Sequence, residues 1–244
     1  MSALFYCPDI AQIPILSEEE SRHCLQVLRH NIGDKITIID GKGYFWEAEI
    51  AGKQGKKCLL KVVGKYLDEK SQRNYYLHIA IAPTKNIERM EWLLEKCTEI
   101  GIDEVSFLLC KRSERKEIKL ERLEKIIVQA AKQSRKAFLP KINEMQKLSV
   151  FLEDMKKQSQ GKWIAHLEPA EKKTLGQIVQ NNTSYAILLG PEGDFEQEEI
   201  AAAKLAGFES ISLGNAVLRT ETAGLLVCAG LAVLQQGSVK VSFH

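Results

Sequence analysis

The sequence predicts an α/β protein in two parts, a small β-barrel over residues 1–70 and a domain with a mostly parallel sheet over residues 71–244. The length of 244 residues suits two modest domains. As far as Tyr66, apolar residues form short alternating runs joined by glycine turns, which is typical of a barrel. Beyond that point apolar strands alternate with amphipathic helices, which is typical of a parallel sheet covered by helices.

The amino-terminal part contains three predicted strands and one predicted helix. The strands are Lys35–Ile39, Tyr44–Ile50 and Lys57–Val63. Ser17 and Glu20, three residues apart, form a capping box that predicts the start of the helix. The polar segment Leu67–Asn74 predicts a linker between the two parts.

The second part repeats a strand-then-helix pattern. A helix beginning near Ile87 ends at Gly101, because glycine readily adopts the conformation that terminates a helix. Further helices are predicted over Leu120–Gln133 and after Thr174. The predicted strands are Leu77–Ile81, Val105–Leu109, Trp163–His166 and Tyr185–Leu189.

Composition argues against a membrane or metalloprotein. The longest apolar run, Ala223–Leu234, has about half the length that a membrane-spanning helix needs. The six cysteines are scattered, with neither a C-x-x-C pair nor a matching histidine cluster for zinc. We therefore expect buried free thiols, no metal site and a cytoplasmic location.

Charge is distributed unevenly along a chain whose net charge is only +2. Lys111–Lys147 contains twelve basic and five acidic residues, whereas Gly190–Glu209 contains six acidic residues and one lysine. A local basic stretch of this kind favours phosphate backbones. The alternative is a solvated helix face with ion pairs between residues four apart.

A strand, a glycine-containing turn and a helix follow one another over Tyr185–Ile200. The turn lies at the carboxyl end of a predicted parallel strand, where open α/β sheets bind ligands. The helix start is acidic, and no G-x-G-x-x-G or G-x-x-x-x-G-K-[ST] motif occurs, which disfavours a polyphosphate ligand. An adenosine-sized group fits better. A tight turn with no ligand is the alternative.

The segment Ile211–Ala223 repeats this arrangement, with a short strand, Gly214, an irregular loop and a helix that Thr220 can cap. Arg219 and Glu221 are charged residues on either side of the cap in an otherwise apolar segment, and such charges are usually paired or functional. An ordinary core or dimer helix is the alternative for this segment.

These two segments resemble the signatures of the RsmE family of 16S rRNA uracil-N3 methyltransferases, within the SPOUT superfamily. The signatures GPEGG-F and LG-x-x-(I/V)LR-x-ETA match Gly190–Phe195 and Leu213–Ala223, although Asp194 stands where the family has its second glycine. Three further segments are similar to family elements, namely His23–Asp34, Lys85–Arg112 and Gln133–Ile142.

The resemblance implies a PUA-like RNA-binding barrel and a SPOUT domain with a deep trefoil knot, assembled as a homodimer. It implies S-adenosylmethionine as the methyl donor and 16S rRNA, within the small ribosomal subunit, as the partner. Cofactor contacts would come from His166, Leu189, Gly190, Gly193, Leu213, Gly214, Val217 and Leu218. RNA phosphates would be held by Arg22, Arg29, Arg112, Arg115, Lys132, Arg135 and Lys136.

For catalysis, a cation near the uracil carbonyls would stabilise the negative charge left when the N3 proton departs. Arg219 is the candidate for this cation. Glu221 or Glu192 would orient that arginine or accept the proton, with simple helix capping as the alternative for Glu221.

Two other functions remain open at this point. The chain could be a noncatalytic RNA-binding or ribosome-assembly factor, or a knotted methyltransferase acting on a different RNA or on a ribose hydroxyl. Gly190, Gly193, Gly214 and Arg219 are intact, which argues against the loss of an enzyme role. Product analysis would identify a different RNA target or a ribose hydroxyl.

Overall fold

The computed structural model describes residues 3–179 and 184–236. The chain divides into two compact units. The first unit comprises residues 1–72 together with residues 127–139, and the second comprises residues 73–126 and 140–244. Residues 127–139 therefore belong by their contacts to the first unit.

The first unit is built on a four-stranded sheet with the order β1-β2-β3-β4. β1 pairs in parallel with β2, and β2, β3 and β4 pair in antiparallel fashion. The bounds are β1 (Leu4–Tyr6), β2 (Lys35–Ile39), β3 (Tyr44–Gln54) and β4 (Lys57–Leu67). The predicted strands are confirmed, but β3 and β4 each extend four residues beyond the predicted ends.

The helix of the first unit starts where the capping box predicts. α1 (Glu18–Arg22) begins after Ser17, whose Oγ accepts a hydrogen bond from the Glu20 N–H at 3.2 Å. A π-helical turn over His23–Val27 continues it. In the predicted linker, Asp68 caps a short 3₁₀ turn and Asp68 Oδ2 accepts from the Ala137 N–H at 2.8 Å.

The second unit contains a seven-stranded sheet in which every pairing is parallel. The strand order is β7-β6-β5-β10-β8-β11-β9. The bounds are β5 (Tyr76–Ile81), β6 (Glu104–Leu109), β7 (Lys141–Lys147), β8 (Gly161–Ala165), β9 (Lys173–Thr174), β10 (Ser184–Leu189) and β11 (Glu209–Ser212).

Within residues 3–179 and 184–236, six further helices connect or follow these strands. Gly101 ends α2 with a φ of +127°, as predicted for a terminating glycine. Sequence reasoning did not identify β7 or α4. The bounds are α2 (Ile87–Ile100), α3 (Leu120–Ser134), α4 (Leu148–Lys156), α5 (Leu175–Val179), α6 (Gln197–Leu205) and α7 (Thr220–Gln236).

All six cysteines are buried free thiols, which confirms that prediction. Burial raises the pKa of the Cys24 and Cys110 thiols to about 12, so neither is a reactive thiolate near neutral pH. Over residues 3–179 and 184–236, none of the helices has the length and apolar character needed to cross a bilayer.

Candidate active site

A cavity of about 610 Å³ lies in the second unit at the carboxyl ends of three neighbouring strands. Residues from the loops that follow β8, β10 and β11 line it. Because parallel strands end at the same edge of a sheet, these loops converge although they are separated in sequence. The volume is in the range of ordinary small-molecule pockets.

The loop after β10 follows a tight path that glycine and aspartate make possible. A Cβ at Gly190 would lie 3.0 Å from Phe195 Cδ2, so a side chain there would clash with the ring. Asp194 adopts a φ of +60°, in the left-handed region that favours glycine. Its carboxylate accepts hydrogen bonds from the Phe195 and Leu167 N–H groups, both at 2.8 Å. Asp194 thus ties this loop to the loop after β8.

A second hydrogen bond joins the loop after β10 to the start of α7. Thr220 Oγ1 donates to the Gly190 carbonyl at 3.1 Å. Gly214, in the loop after β11, has a φ of +109°, a conformation open mainly to glycine. The three loops are therefore held in a shared arrangement by specific hydrogen bonds and backbone conformations.

His166 is a buried polar side chain of the cavity lining. Its Nε2 lies 2.8 Å from Ser210 Oγ, whereas its buried Nδ1 has no hydrogen-bond partner. Burial, and then the positive charge of Lys172, lower the pKa of the imidazole. The ring is therefore neutral near pH 7, with one nitrogen left for a ligand.

The cavity brings together seven of the eight predicted cofactor residues. They are His166, Leu189, Gly190, Leu213, Gly214, Val217 and Leu218. Gly193 is outside this lining, and its carbonyl accepts a hydrogen bond from Arg112 Nη1 at 2.7 Å.

Two of the three predicted catalytic residues line the cavity, and the third lies outside its lining. Arg219 and Glu192 line the cavity, and among the described residues the exposed Arg219 guanidinium has no hydrogen bond or ion pair. Glu221 is buried outside the lining. Both glutamates reach the same cation, which is Arg89 rather than Arg219.

Arg89 of α2 also lines the cavity, and sequence reasoning did not single it out. Its partners lie more than a hundred residues away along the chain, so no local pattern could reveal the pairs. The resemblance at Lys85–Arg112 includes the residue but does not distinguish it from its neighbours.

The two predicted RNA-binding residues of the second unit, Arg112 and Arg115, donate hydrogen bonds to backbone carbonyls of loops. Arg115 donates to the carbonyls of Thr84 and Lys85 at 3.0 and 2.6 Å. Arg112, besides its bond to Gly193, lies 3.8 Å from Glu196, the residue at the N-cap of α6. Both arginines therefore support the segments beside the cavity, although Arg112 remains half-exposed.

The predicted RNA-binding residues of the first unit differ in exposure. Arg22 and Arg29 are exposed, Arg135 is exposed with a φ of +55°, and Lys136 is half-buried. Lys132 Nζ binds both carboxylate oxygens of Glu20, at 2.7 and 2.9 Å, and each side chain is only 10% exposed. This geometry favours a structural role for Lys132.

Comparison with known families defines the class of protein. Residues 71–232 match the family described as an RNA methyltransferase domain, and residues 16–63 match the family described as an RNA methyltransferase PUA domain. The first match covers more than half of the chain. It places the cavity, with all three of its loops, inside an RNA methyltransferase domain.

Individual relatives narrow this class. Ribosomal RNA small subunit methyltransferase E of Synechocystis is 30% identical over 218 residues, covering 87% of this chain and 70% of the relative. A probable rRNA-methyltransferase from Porphyromonas gingivalis has a solved structure with 40% identity and a TM-score of 0.88, covering 97% of this chain and all of that one. The chain belongs to the ribosomal RNA small subunit methyltransferase E family.

A further solved relative contains a bound methyl donor. Ribosomal RNA small subunit methyltransferase E from Neisseria gonorrhoeae, bound to S-adenosylmethionine, is 26% identical with a TM-score of 0.81, covering 96% of this chain and 98% of that one. With the seven-stranded parallel sheet and the PUA match, these relatives confirm the predicted fold class, a SPOUT domain with a PUA-like amino-terminal part.

Proposed function

We propose that this protein transfers a methyl group from S-adenosylmethionine to N3 of a specific uridine in 16S rRNA. One observation carries the proposal: the loops after β8, β10 and β11 enclose a cavity that Arg219 also lines. Family membership supplies the reaction class, and the relatives' small-subunit names supply the RNA. The small ribosomal subunit is the form of substrate that we propose.

The chemistry of the lining fits S-adenosylmethionine. Leu189, Leu213 and Leu218 offer apolar contacts for an adenosine, and the unpartnered Nδ1 of His166 offers a polar one. Glu192 and Asp194 add acidic groups that suit a ligand with a sulfonium and an ammonium charge. We propose that these residues, with Gly190, Gly214 and Val217, hold the cofactor, and that Gly193 acts through the loop conformation.

S-adenosylmethionine supplies the methyl group to the N3 electron pair, and the electron pair of the broken carbon–sulfur bond stays on sulfur. The protein must handle the N3 proton and the charge left behind. When the proton departs, negative charge spreads onto the two neighbouring carbonyl oxygens of uracil. Arg219 lies at the cavity and forms no ion pair with any described residue, so its guanidinium can stabilise that charge.

Glu192 is the carboxylate that can take the proton. It lines the cavity and its side chain is 32% exposed, so the proton can pass on to solvent. Glu221 is outside the lining and is 8% exposed, which suits a supporting role.

We assign RNA binding to residues 1–70 and methyl transfer to residues 71–244. In the first unit, the exposed arginines Arg22, Arg29 and Arg135 and the neighbouring Lys136 are candidates for phosphate contacts. The half-exposed Arg112 is a further candidate. We propose the cytoplasm as the location of the reaction, because a ribosomal RNA substrate is consistent with it.

A homodimer is the proposed assembly. Leu226, Val233 and Leu234 of α7 are exposed apolar side chains on one helix, and Val233 is 68% exposed. Apolar residues of this kind favour contact with a second copy of the chain.

The proposal is tested with purified protein, labelled S-adenosylmethionine and small ribosomal subunits from a strain that lacks the enzyme. A methyl group on uracil N3 blocks base pairing, so reverse transcription should stop at the modified nucleotide. Modification of a ribose hydroxyl would instead leave the pairing edge intact. Cofactor binding without methyl transfer would favour a noncatalytic assembly factor.

Arg219→Ala is expected to lower the rate of transfer by roughly 100- to 1,000-fold, the cost of losing one donor to a developing anion. Its affinity for S-adenosylmethionine should stay close to that of the wild type, because Arg219 is not among the residues that we propose to hold the cofactor. Calorimetry measures the affinity and single-turnover assays measure the rate. A variant with wild-type turnover would rule out the electrostatic role of Arg219.

A further inference from the structure

Arg89 is a second cation at the cavity, on a different element from Arg219. It belongs to α2 and lies 3.3 Å from Glu192 Oε1 through Nη1 and 3.7 Å from Glu221 Oε1 through Nε. Its side chain is 35% exposed. Within the described part of the chain, Nη2 has no hydrogen bond or ion pair. Two nitrogens of the guanidinium, Nη1 and Nε, thus contact carboxylates, and among the described residues Nη2 is left for a ligand.

Glu221 explains why the guanidinium keeps this position. The carboxylate is 8% exposed, and its Oε2 is buried without a hydrogen-bond partner. A buried carboxylate is costly unless a cation compensates it, and Arg89 is the cation within reach among the described residues. The cost of burying the Glu221 carboxylate without a cation therefore favours the position in which the Arg89 guanidinium contacts it.

Glu192, in the loop after β10, is the second carboxylate that restrains the guanidinium of Arg89. Its Oε2 accepts a hydrogen bond from the Lys85 N–H at 3.3 Å, just before α2 begins, while its Oε1 contacts Arg89. The glutamate is part of the loop after β10 and lines the cavity. Arg89 consequently has two carboxylate partners, one from that loop and one from α7.

We propose that Arg89 is a second substrate-contacting cation of the transfer reaction and that Glu221 is its positioning residue. This rests on the proposed function. Loss of the N3 proton, which passes to Glu192, leaves charge on two carbonyl oxygens, one on each side of N3. Arg89 and Arg219 approach the cavity from different elements, so each guanidinium serves one of these oxygens.

The test compares Arg89→Ala, Arg89→Lys and Glu221→Gln with the wild type in single-turnover methylation of small subunits. Arg89→Ala should lower the rate about 100-fold, as expected for one lost donor to a developing anion. Arg89→Lys should lose less because it keeps the charge. Glu221→Gln should fall between the wild type and Arg89→Ala, since the arginine remains but is less well positioned. Calorimetry should show unchanged affinity for S-adenosylmethionine in all three.

Chemical rescue separates a direct contact from a structural one. Guanidinium ion, at concentrations too low to unfold the protein, should raise the rate of Arg89→Ala and leave the wild type unchanged. Lys96→Ala is the matched control, because Lys96 is a cation of the same helix that pairs with Glu95 and Glu99 and is not part of the cavity lining. Its rate should equal that of the wild type.

Three results would overturn the proposal. One is an Arg89→Ala rate within about threefold of the wild type, which is too small for a lost transition-state contact. Another is a loss of cofactor affinity that accounts for the whole loss of rate, which would make Arg89 a support for the cofactor site. The third applies if Arg89→Ala does not fold. In that case, a wild-type rate in both Arg89→Lys and Glu221→Gln would overturn the proposal. Wild-type protein that fails to methylate the subunits would instead remove the proposed function itself.

Discussion

Asp194 combines a backbone conformation that favours glycine with a side chain that glycine lacks. Its φ of +60° preserves the path that a glycine would take at this point of the loop. Its two hydrogen bonds, to the N–H groups of Phe195 and Leu167, offset part of the strain and join two cavity loops. Aspartate at this position of the family motif therefore adopts a backbone conformation that is readily open to glycine.

We expect Asp194→Ala to be less stable than Asp194→Gly. Both variants lose the two hydrogen bonds, but only alanine retains the cost of the left-handed conformation, about 1–2 kcal/mol. Urea unfolding measures the difference, and each variant is the control for the other. Equal stabilities would show that the backbone leaves the left-handed region once the carboxylate is removed.

Individual site residues could be predicted only where a local segment carries them. Gly190, Leu213 and Arg219 lie in two short motifs, and the cavity contains all three. The pairing of Glu192 and Glu221 with Arg89 could not be predicted, because the fold alone brings these distant segments together. Likewise, the sequence predicts that Lys132 contacts RNA, whereas in the structure Lys132 forms a buried ion pair with Glu20.

At the scale of elements, close packing of α2 against α7 supports the cavity. Gly224, in the second turn of α7, is so near α2 that a Cβ would lie 3.0 Å from both terminal methyl groups of Leu93. α7 begins at Thr220, which bonds to Gly190, and α2 carries Arg89. The distance between these helices therefore affects both the loop and the charged residues of the site.

Gly224→Ala and Gly176→Ala form a matched pair of helical substitutions. Alanine favours a helix over glycine by up to about 1 kcal/mol, so Gly176→Ala, where the nearest atom is 4.0 Å away, should be neutral or stabilising. Gly224→Ala should be less stable than Gly176→Ala by about 1–3 kcal/mol, because the added methyl group overpacks Leu93. Thermal unfolding measures both. Similar gains in the two variants would show that Leu93 moves aside without cost.

Elements with a regular apolar pattern were predictable, whereas β7 and α4 were overlooked for different reasons. β7 (Lys141–Lys147) is an edge strand of half-exposed and polar residues, so it lacks the apolar run of a buried strand. α4 buries Leu148, Phe151, Leu152 and Met155, a helical spacing that is present in the sequence. That helix could have been found, since the signal was there.

At the scale of the whole molecule, each unit has a hydrophobic core of its own. The first unit adds residues 127–139 to the amino-terminal residues, so the basic residues Arg135 and Lys136 belong to the same unit as Arg22 and Arg29. Sequence reasoning could not predict this, because chain order places them inside the methyltransferase part. A packed unit can thus present basic residues from two separate segments.

Binding of 16S rRNA should weaken steeply as the salt concentration rises, and Arg22→Glu combined with Arg29→Glu should reduce that dependence. Each phosphate contact contributes about 0.7–0.9 to the slope of log affinity against log salt, so two lost contacts should lower the slope by about 1.5. Filter binding at several salt concentrations measures the slope, and methyl transfer to subunits should fall in parallel.

Charge reversal at Lys56 and Lys57 is the control for this pair. Both lysines are exposed, at the turn between β3 and β4 of the same unit. The control changes net charge by the same amount, so only a specific contact would distinguish the two double variants. An identical slope in both would exclude Arg22 and Arg29 from the phosphate-binding surface.

Because all six cysteines are buried, each thiol can serve as an internal reporter of unfolding in the region around it. A thiol can be alkylated only when solvent reaches it, so the rate of labelling measures local or global unfolding. The reporters are divided evenly, three in each unit. Cys7, Cys24 and Cys58 report on the first unit, and Cys97, Cys110 and Cys228 report on the second. Mass spectrometry of the native sequence can therefore time the opening of the two units separately, without introducing a label.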